Sequence, residues 1–301
     1  MKQFKKATLF TVIILSLLFL NLNAGEKVEV NKTFKAKNTV KIKVVSGDCV
    51  VKKGGNSEIS VHLEYTFPTD RYKPVFEEQG DTLILKEEFT KTHNNSVRGS
   101  SSWTVTVPEK TNIDFKAASG DFSAADIKST INARAASGDV KVTDFEGELT
   151  VKVASGQVTV KNAKGTMDID TASGKISLSN TKAAFELKCA SGDINASGIV
   201  LTGASTFKTA SGEITVQLAE TSAYDLELSG VSGDIVLDYN GNPIKGYFKF
   251  SGQKNNISAP FAFEDDDHDR YSPFVKKHFS KGGDSPRISL KAVSGELTLK
   301  K

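Results

Sequence analysis

The chain is poor in the residues that usually carry chemistry. It has two cysteines in 301 residues, Cys49 and Cys189, far apart along the chain, which leaves no disulfide framework to build a small stapled fold. It has four histidines, His62, His93, His268 and His278, and none lies in the regular repeats described below. No Gly-x-Ser-x-Gly phrase occurs, so no nucleophile elbow is encoded. No segment within the repeats has the continuous 3.6-residue apolar period of a crossover helix, which excludes an α/β layer fold. One apolar run, Leu9 to Leu20, is the length of a secretory leader core and short for a membrane span. Lys2, Lys5 and Lys6 precede it, so residues 1–24 are expected to be a signal peptide. An excess of one charge is also missing. Once those three lysines are removed from the 39 basic residues, the remainder balances the 36 acidic ones. Net charge therefore gives no reason to expect nucleic acid or an anionic membrane as partner.

What the chain has is a repeat. A small residue followed by Ser-Gly recurs with its serine at Ser119, Ser137, Ser155, Ser173 and Ser191, each 18 residues after the last. Three residues after each serine stand Phe122, Val140, Val158, Ile176 and Ile194. Two further on stand Ala124, Val142, Val160, Leu178 and Ala196. Later in each copy come Ile131, Leu149, Met167 and Phe185, then Ala133, Val151, Ile169 and Leu187. Polar residues separate these columns, and strict alternation means a strand with one face inward. Each copy thus encodes two short strands. The Ser-Gly turn joins one copy to the next, and a second turn falls at Asp126, Asp144, Asn162 and Asn180. Identical columns stack best as rungs of parallel, in-register sheets. The expected fold is all-β: a parallel β-solenoid (β-helix) of about 18-residue rungs. Roughly eight to ten rungs at ~4.8 Å would make a rod on the order of 40–50 Å long. The alanine before each serine is expected at a tight corner where backbones approach.

In chain order, residues 25–301 are expected to form one solenoid domain. Val45-Ser46-Gly47-Asp48 is a first rung, and residues 55–108 are an antiparallel strand excursion capping the N-terminal end. Residues 109–250 are the regular rungs, with the spacing loosening at Ser211 and Ser232. Residues 251–287 form an irregular segment, and 288–301 form a terminal rung.

Several of these phrases together resemble a known family. They are Ser-Gly-Asp after a small residue, the early rung Val45 to Asp48, the strand end Val107-Pro108, and the closing Gly282-Gly283, Ile288 and Val293-Ser294-Gly295. In them most of the mature chain is similar to the bacterial "putative adhesin" repeat proteins of unknown function. The resemblance implies an exported parallel β-solenoid with a non-enzymatic surface or envelope role. It supplies no catalytic residues and no cofactor.

Three functions follow as expectations. The first is a structural or adhesin-like binding module, periplasmic, on the cell surface or extracellular, contacting an envelope protein or polysaccharide. The second is an envelope sensor or regulatory protein that binds another protein. The third is a polysaccharide-acting enzyme, disfavoured because the regular rungs lack the long loops that build a groove. The column two residues after each serine (Asp121, Asp139, Gln157, Lys175, Asp193) is broken as a cation ladder by Lys175. The candidate cation ligands are Asp265, Asp266, Asp267 and Asp269, beside His268 in an acidic run that is expected to be a solvated loop. Aromatics gather outside the repeats. They are Tyr65, Phe67, Tyr72 and Phe76 near one end, and Tyr247, Phe248, Phe250, Phe261, Phe263, Tyr271, Phe274 and Phe279 near the other. They are expected either to pack the caps or to form a binding surface. The inward assignment has a direct test. Val142→Asp should cost roughly 3 kcal/mol or more, through a buried unpaired charge, and Lys141→Asp almost nothing; equal thermal midpoints for the two variants would contradict it.

Overall fold

The computed structural model describes residues 26–90, 98–267 and 273–301. The leader 1–24, His93, His268, Asp269 and Tyr271 lie outside the described residues. The copies are stacked as the columns require. In the copy built on the strand Val140–Ser155, Val140, Val142, Leu149, Val151 and Val153 all point inward and are buried. Each meets its equivalent in the next strand, Val158–Ser173: Val142 faces Val160, and Leu149 faces Met167. The strand Ile176–Ser191 continues the same register. Two sheets result. The leading sheet holds the strands that follow each Ser-Gly turn, and the trailing sheet holds those that precede the next one.

Between the sheets the chain turns at Asp126, Asp144, Asn162 and Asn180, where φ lies between 51° and 59°. That left-handed conformation strains most side chains, and Asp and Asn tolerate it best. Their side chains also bond along the stack: the Asn162 amide donates to the Asp144 carboxylate at 3.1 Å, and Asn180 to Asn162 at 3.5 Å. The residue after this corner points inward and forms a further column: Ile127, Phe145, Ala163, Thr181 and Ile199. The alternation pattern alone does not mark it, because the corner breaks the period of two.

The Ser-Gly turn is the tighter corner. The Gly138 N–H donates to the Ser155 carbonyl at 3.1 Å, and the Gly156 N–H to Ser173 at 3.1 Å. Gly138 has φ 127°, and a Cβ there would overlap the carbonyl of Gly120 in the rung beside it. The close approach therefore belongs to the glycine column. The alanines before the serines do not take part: Ala118, Ala136 and Ala154 are exposed, which corrects the expectation placed on them. The carboxylates after the glycine are not simply solvated. The Asp139 N–H donates to the Asp121 side chain at 2.8 Å, Gln157 to Asp139 at 2.8 Å, and Glu213 to Asp193 at 3.1 Å. Each aspartate thus supplies an acceptor to the backbone of the following copy.

The ends depart from the expected plan. In the N-terminal excursion, the strand Thr82–Phe89 lies parallel on Thr39–Ser46, with Leu83 opposite Val40 and Leu85 opposite Ile42. Ser101–Val107 lies parallel on Asp48–Lys53, with Trp103 opposite Cys49. The excursion therefore first adds a parallel rung, because its alternation continues the inward columns. Only the strands beyond are antiparallel: Glu58–Tyr65 on Ser101–Val107, Val28–Lys35 on Glu58–Tyr65, and Tyr72–Gln79 on Thr82–Phe89.

At the other end the spatial order differs from the chain order. The strand Arg287–Ser294 inserts between Leu226–Ser232 and Gly246–Gln253, pairing with both. Leu297–Lys300 inserts likewise between Ile235–Asp238 and Ile257–Ser258. The rung expected to be terminal is therefore interior. The supposedly irregular segment supplies the cover: Phe274–Lys281 runs antiparallel on Gly246–Gln253, and Asp265–Asp267 antiparallel on Phe274–Lys281. The parallel stack from Thr82–Phe89 to Gly246–Gln253 spans on the order of 50 Å.

The glycine corner has a sharp test. Gly138→Ala should destabilise by about 3 kcal/mol or more, from backbone strain and overlap with Gly120 together. Ala136→Ser, two residues away on the exposed edge, should change the urea midpoint hardly at all.

Candidate binding surfaces

The acidic run is placed differently from the loop expected of it. The backbone of Asp265, Asp266 and Asp267 forms a strand in register with His278, Lys277 and Lys276. Asp269 and His268 lie outside the described residues. Among the described residues, no group of three or more His, Cys, Asp or Glu side chains is arranged to hold a metal ion.

The aromatic clusters close the ends of the rod. Tyr65, Phe67 and Tyr72 are buried, with ring centroids 4.6 Å apart for Tyr65–Tyr72 and 4.9 Å for Phe67–Tyr72. Phe248 and Phe250 are buried under Phe261, Phe263 and Phe279, and Phe261 stacks on Phe279 at 3.7 Å. These rings cover the last rungs and form no open stacking platform. Tyr247 bonds through its hydroxyl to His278 Nδ1, and His62 holds Asn31 at 2.7 Å and Glu64 at 3.2 Å. Neither described histidine has a serine or cysteine among these partners. Both cysteines are free and buried. Burial first, and then the charge of Asp48, push the Cys49 thiol well above its usual range, so it stays an unreactive neutral core group.

One ionisable cluster gives no signal in the sequence. Glu87 is 8% exposed and sits at the N-terminal end of the trailing sheet. Its carboxylate accepts from the Val45 N–H at 2.7 Å, the Tyr72 hydroxyl at 3.0 Å, the Trp103 indole N–H at 3.2 Å, and the Ser101 hydroxyl. It stands in the column of Val44, one step past the Leu85–Ile42 pair. There it offers acceptors to the corner of the first rung, where another rung would offer a carbonyl. Burial first, and then the charge of Glu87, raise the Tyr72 phenol far above its usual range, so Tyr72 remains a donor. Every partner of Glu87 is structural, and the cluster is sealed.

The accessible features are the two outer faces. On the leading sheet an open depression of about 500 Å³ is lined by Thr159, Lys161, Lys175, Ser177, Asn195 and Gln217, among others. On the trailing sheet another, of about 350 Å³, lies along Thr150, Thr166, Asp168, Glu186 and Thr206. Charge on the trailing face is sorted by column. The residues three before each serine run Lys43, Lys116, Arg134, Lys152, Asp170, Lys188 and Lys208 in successive rungs. Beyond Asp170 the cations are paired: Lys188 with Glu186 at 2.6 Å, and Lys208 and Lys291 with Glu227 at 3.9 and 3.0 Å. The ion pair with Lys291 holds the Glu227 carboxyl below the usual range.

A family model described as Toastrack DUF4097 matches residues 37–259. No curated protein matches the chain. Among solved structures, it is similar to a putative adhesin from Parabacteroides merdae ATCC 43184, with 14% identity, 92% of this chain and 97% of that chain covered, and a TM-score of 0.49. It is similar to a putative adhesin from Bacteroides fragilis NCTC 9343 at 14% identity, with 92% and 98% covered and a TM-score of 0.45. A putative lipid binding protein from Parabacteroides distasonis ATCC 8503 gives 17% identity, 92% and 98% coverage, and a TM-score of 0.43.

The end-closing role of Glu87 is measurable. Glu87→Ala should cost about 3–5 kcal/mol in urea unfolding, because it strands several buried donors at once. Glu87→Gln, which keeps one acceptor oxygen, should cost clearly less.

Proposed function

Because the chain belongs to the Toastrack DUF4097 family, we propose that it is a non-enzymatic binding module of the bacterial envelope or cell surface, exported by the leader 1–24. Residues 25–301 act as one rigid domain. The observation that carries this reading is the pair of outer faces: flat, polar and continuous over many rungs, with open depressions in place of a deep cleft. Such faces suit contact with an extended partner. The buried ionisable groups support it too, since Glu87 and Cys49 are bound into the core and neither is presented to a substrate. Among the described residues no helix is long and apolar enough to cross a membrane.

Two measurements test the proposal. Protease treatment of intact cells should remove the protein if it is surface-exposed, and crosslinking in living cells should capture an envelope protein or polysaccharide. A cytoplasmic pool, or shortening of polysaccharide chains by the purified protein, would overturn it.

A further inference from the structure

The row Lys43, Lys116, Arg134 and Lys152 is the feature the fold does not use. The four side chains stand in successive rungs of one column, all exposed on the trailing face. In-register strands repeat at ~4.8 Å, so the row is a straight line of cations about 14 Å long. Lys116 has Asp114 at 4.0 Å, while Lys43, Arg134 and Lys152 have no ion-pair partner among the described residues. The row is bounded at both ends. Lys86, one rung before Lys43, is held by Glu77 and Glu88 at 3.0 Å each, and Asp170 follows Lys152. The acidic column at the Ser-Gly turn does not neutralise it: Asp48, Asp121 and Asp139 accept backbone N–H groups of the adjoining copies. Like charges directly opposite one another destabilise a sheet. Four successive rungs therefore carry a repulsion that only Asp114, beside Lys116, and Asp170, opposite Lys152, partly offset.

We propose that this row is a binding track for a linear acidic polysaccharide, laid along the rod axis with its carboxylates against the four cations. The proposal rests on the binding-module reading and names its ligand class. Three observations select this occupant. The row is straight, whereas the phosphates of a nucleic acid duplex wind away from any line within a few residues. The neighbouring column over the same rungs carries Lys41, Asp114, Asn132 and Thr150; Asp114 is held by Lys116, and the amide and hydroxyl of Asn132 and Thr150 suit sugar hydroxyls. Over these four rungs the only large apolar side chain exposed on this face, among the described residues, is Val45 beside Lys43, too little apolar surface to seat the face in a bilayer.

The probe is polygalacturonate immobilised on a support, with neutral dextran and phosphatidylglycerol vesicles in parallel. Wild-type protein should be retained by polygalacturonate at low ionic strength and released as salt is raised. The quadruple variant K43Q/K116Q/R134Q/K152Q should bind at least about tenfold more weakly. A charge-matched control, K141Q/K164Q/K182Q/K245Q, removes four exposed lysines from other positions and should change binding less than about threefold. All eight side chains are exposed, so neither variant should melt below the wild type, and the quadruple variant, freed of the repulsion, should melt at or above it. Equal loss in the two variants, no retention on polygalacturonate, or tighter binding to the vesicles would overturn the proposal. Those outcomes leave the broader reading standing, since that fails only through the localisation, crosslinking and polysaccharide-cleavage results above.

Discussion

The close passage of one glycine backbone under the next is the constraint on which the solenoid depends. Gly120 lies against Gly47, Gly138 against Gly120, and Gly156 against Gly138, each with no room for a Cβ. That contact brings the chain round with the same length in each regular copy. It also makes strand register a consequence of the corner: if Gly138 stacks on Gly120, then Val140 must meet Phe122 and Val142 must meet Ala124. The hydrophobic columns and the aspartate-to-backbone bonds then reinforce a register the corner has already set. A slip of one residue would turn each inward side chain toward water.

A stack of parallel rungs has two open ends, and each end here is closed by changing the direction of pairing. Parallel rungs expose N–H and C=O groups that invite association with another chain. At the N-terminal end the antiparallel strands and the Glu87 carboxylate occupy those groups, under a lid of aromatic rings. At the C-terminal end the last strands of the chain slide into the interior, and an earlier segment becomes the cover. The result is that both termini of the described chain pair with strands distant in sequence.

Near-neutral composition conceals a strong ordering of charge. The acidic residues of the Ser-Gly corner are engaged by backbone N–H groups, while the basic residues of the trailing face are paired beyond Asp170 and, before it, leave Lys43, Arg134 and Lys152 without an ion-pair partner among the described residues. Net charge cannot report this, because columns are a property of stacking. The same distinction separates the aromatic residues from a binding role: Phe248, Phe250 and Tyr72 are clustered in sequence, yet their partners are other core rings.

By itself the sequence determined the coil. The 18-residue spacing, the period-two columns and the Asp/Asn corners are local signals repeated many times, and repetition lets weak local preferences agree. Even the lysine column was present in that alignment, three residues before each serine. Only the tertiary structure decided the ends, the cover and the free charge. Whether Arg287–Ser294 lies last or next to last depends on which edge offers matching columns, a long-range choice that no local pattern encodes. Whether Glu87 is solvated or sealed depends on Tyr72, Ser101 and Trp103 arriving from other strands. And Lys208 finds Glu227 only because the strand Leu226–Ser232 lies one rung away, which is a fact of stacking and not of sequence neighbourhood.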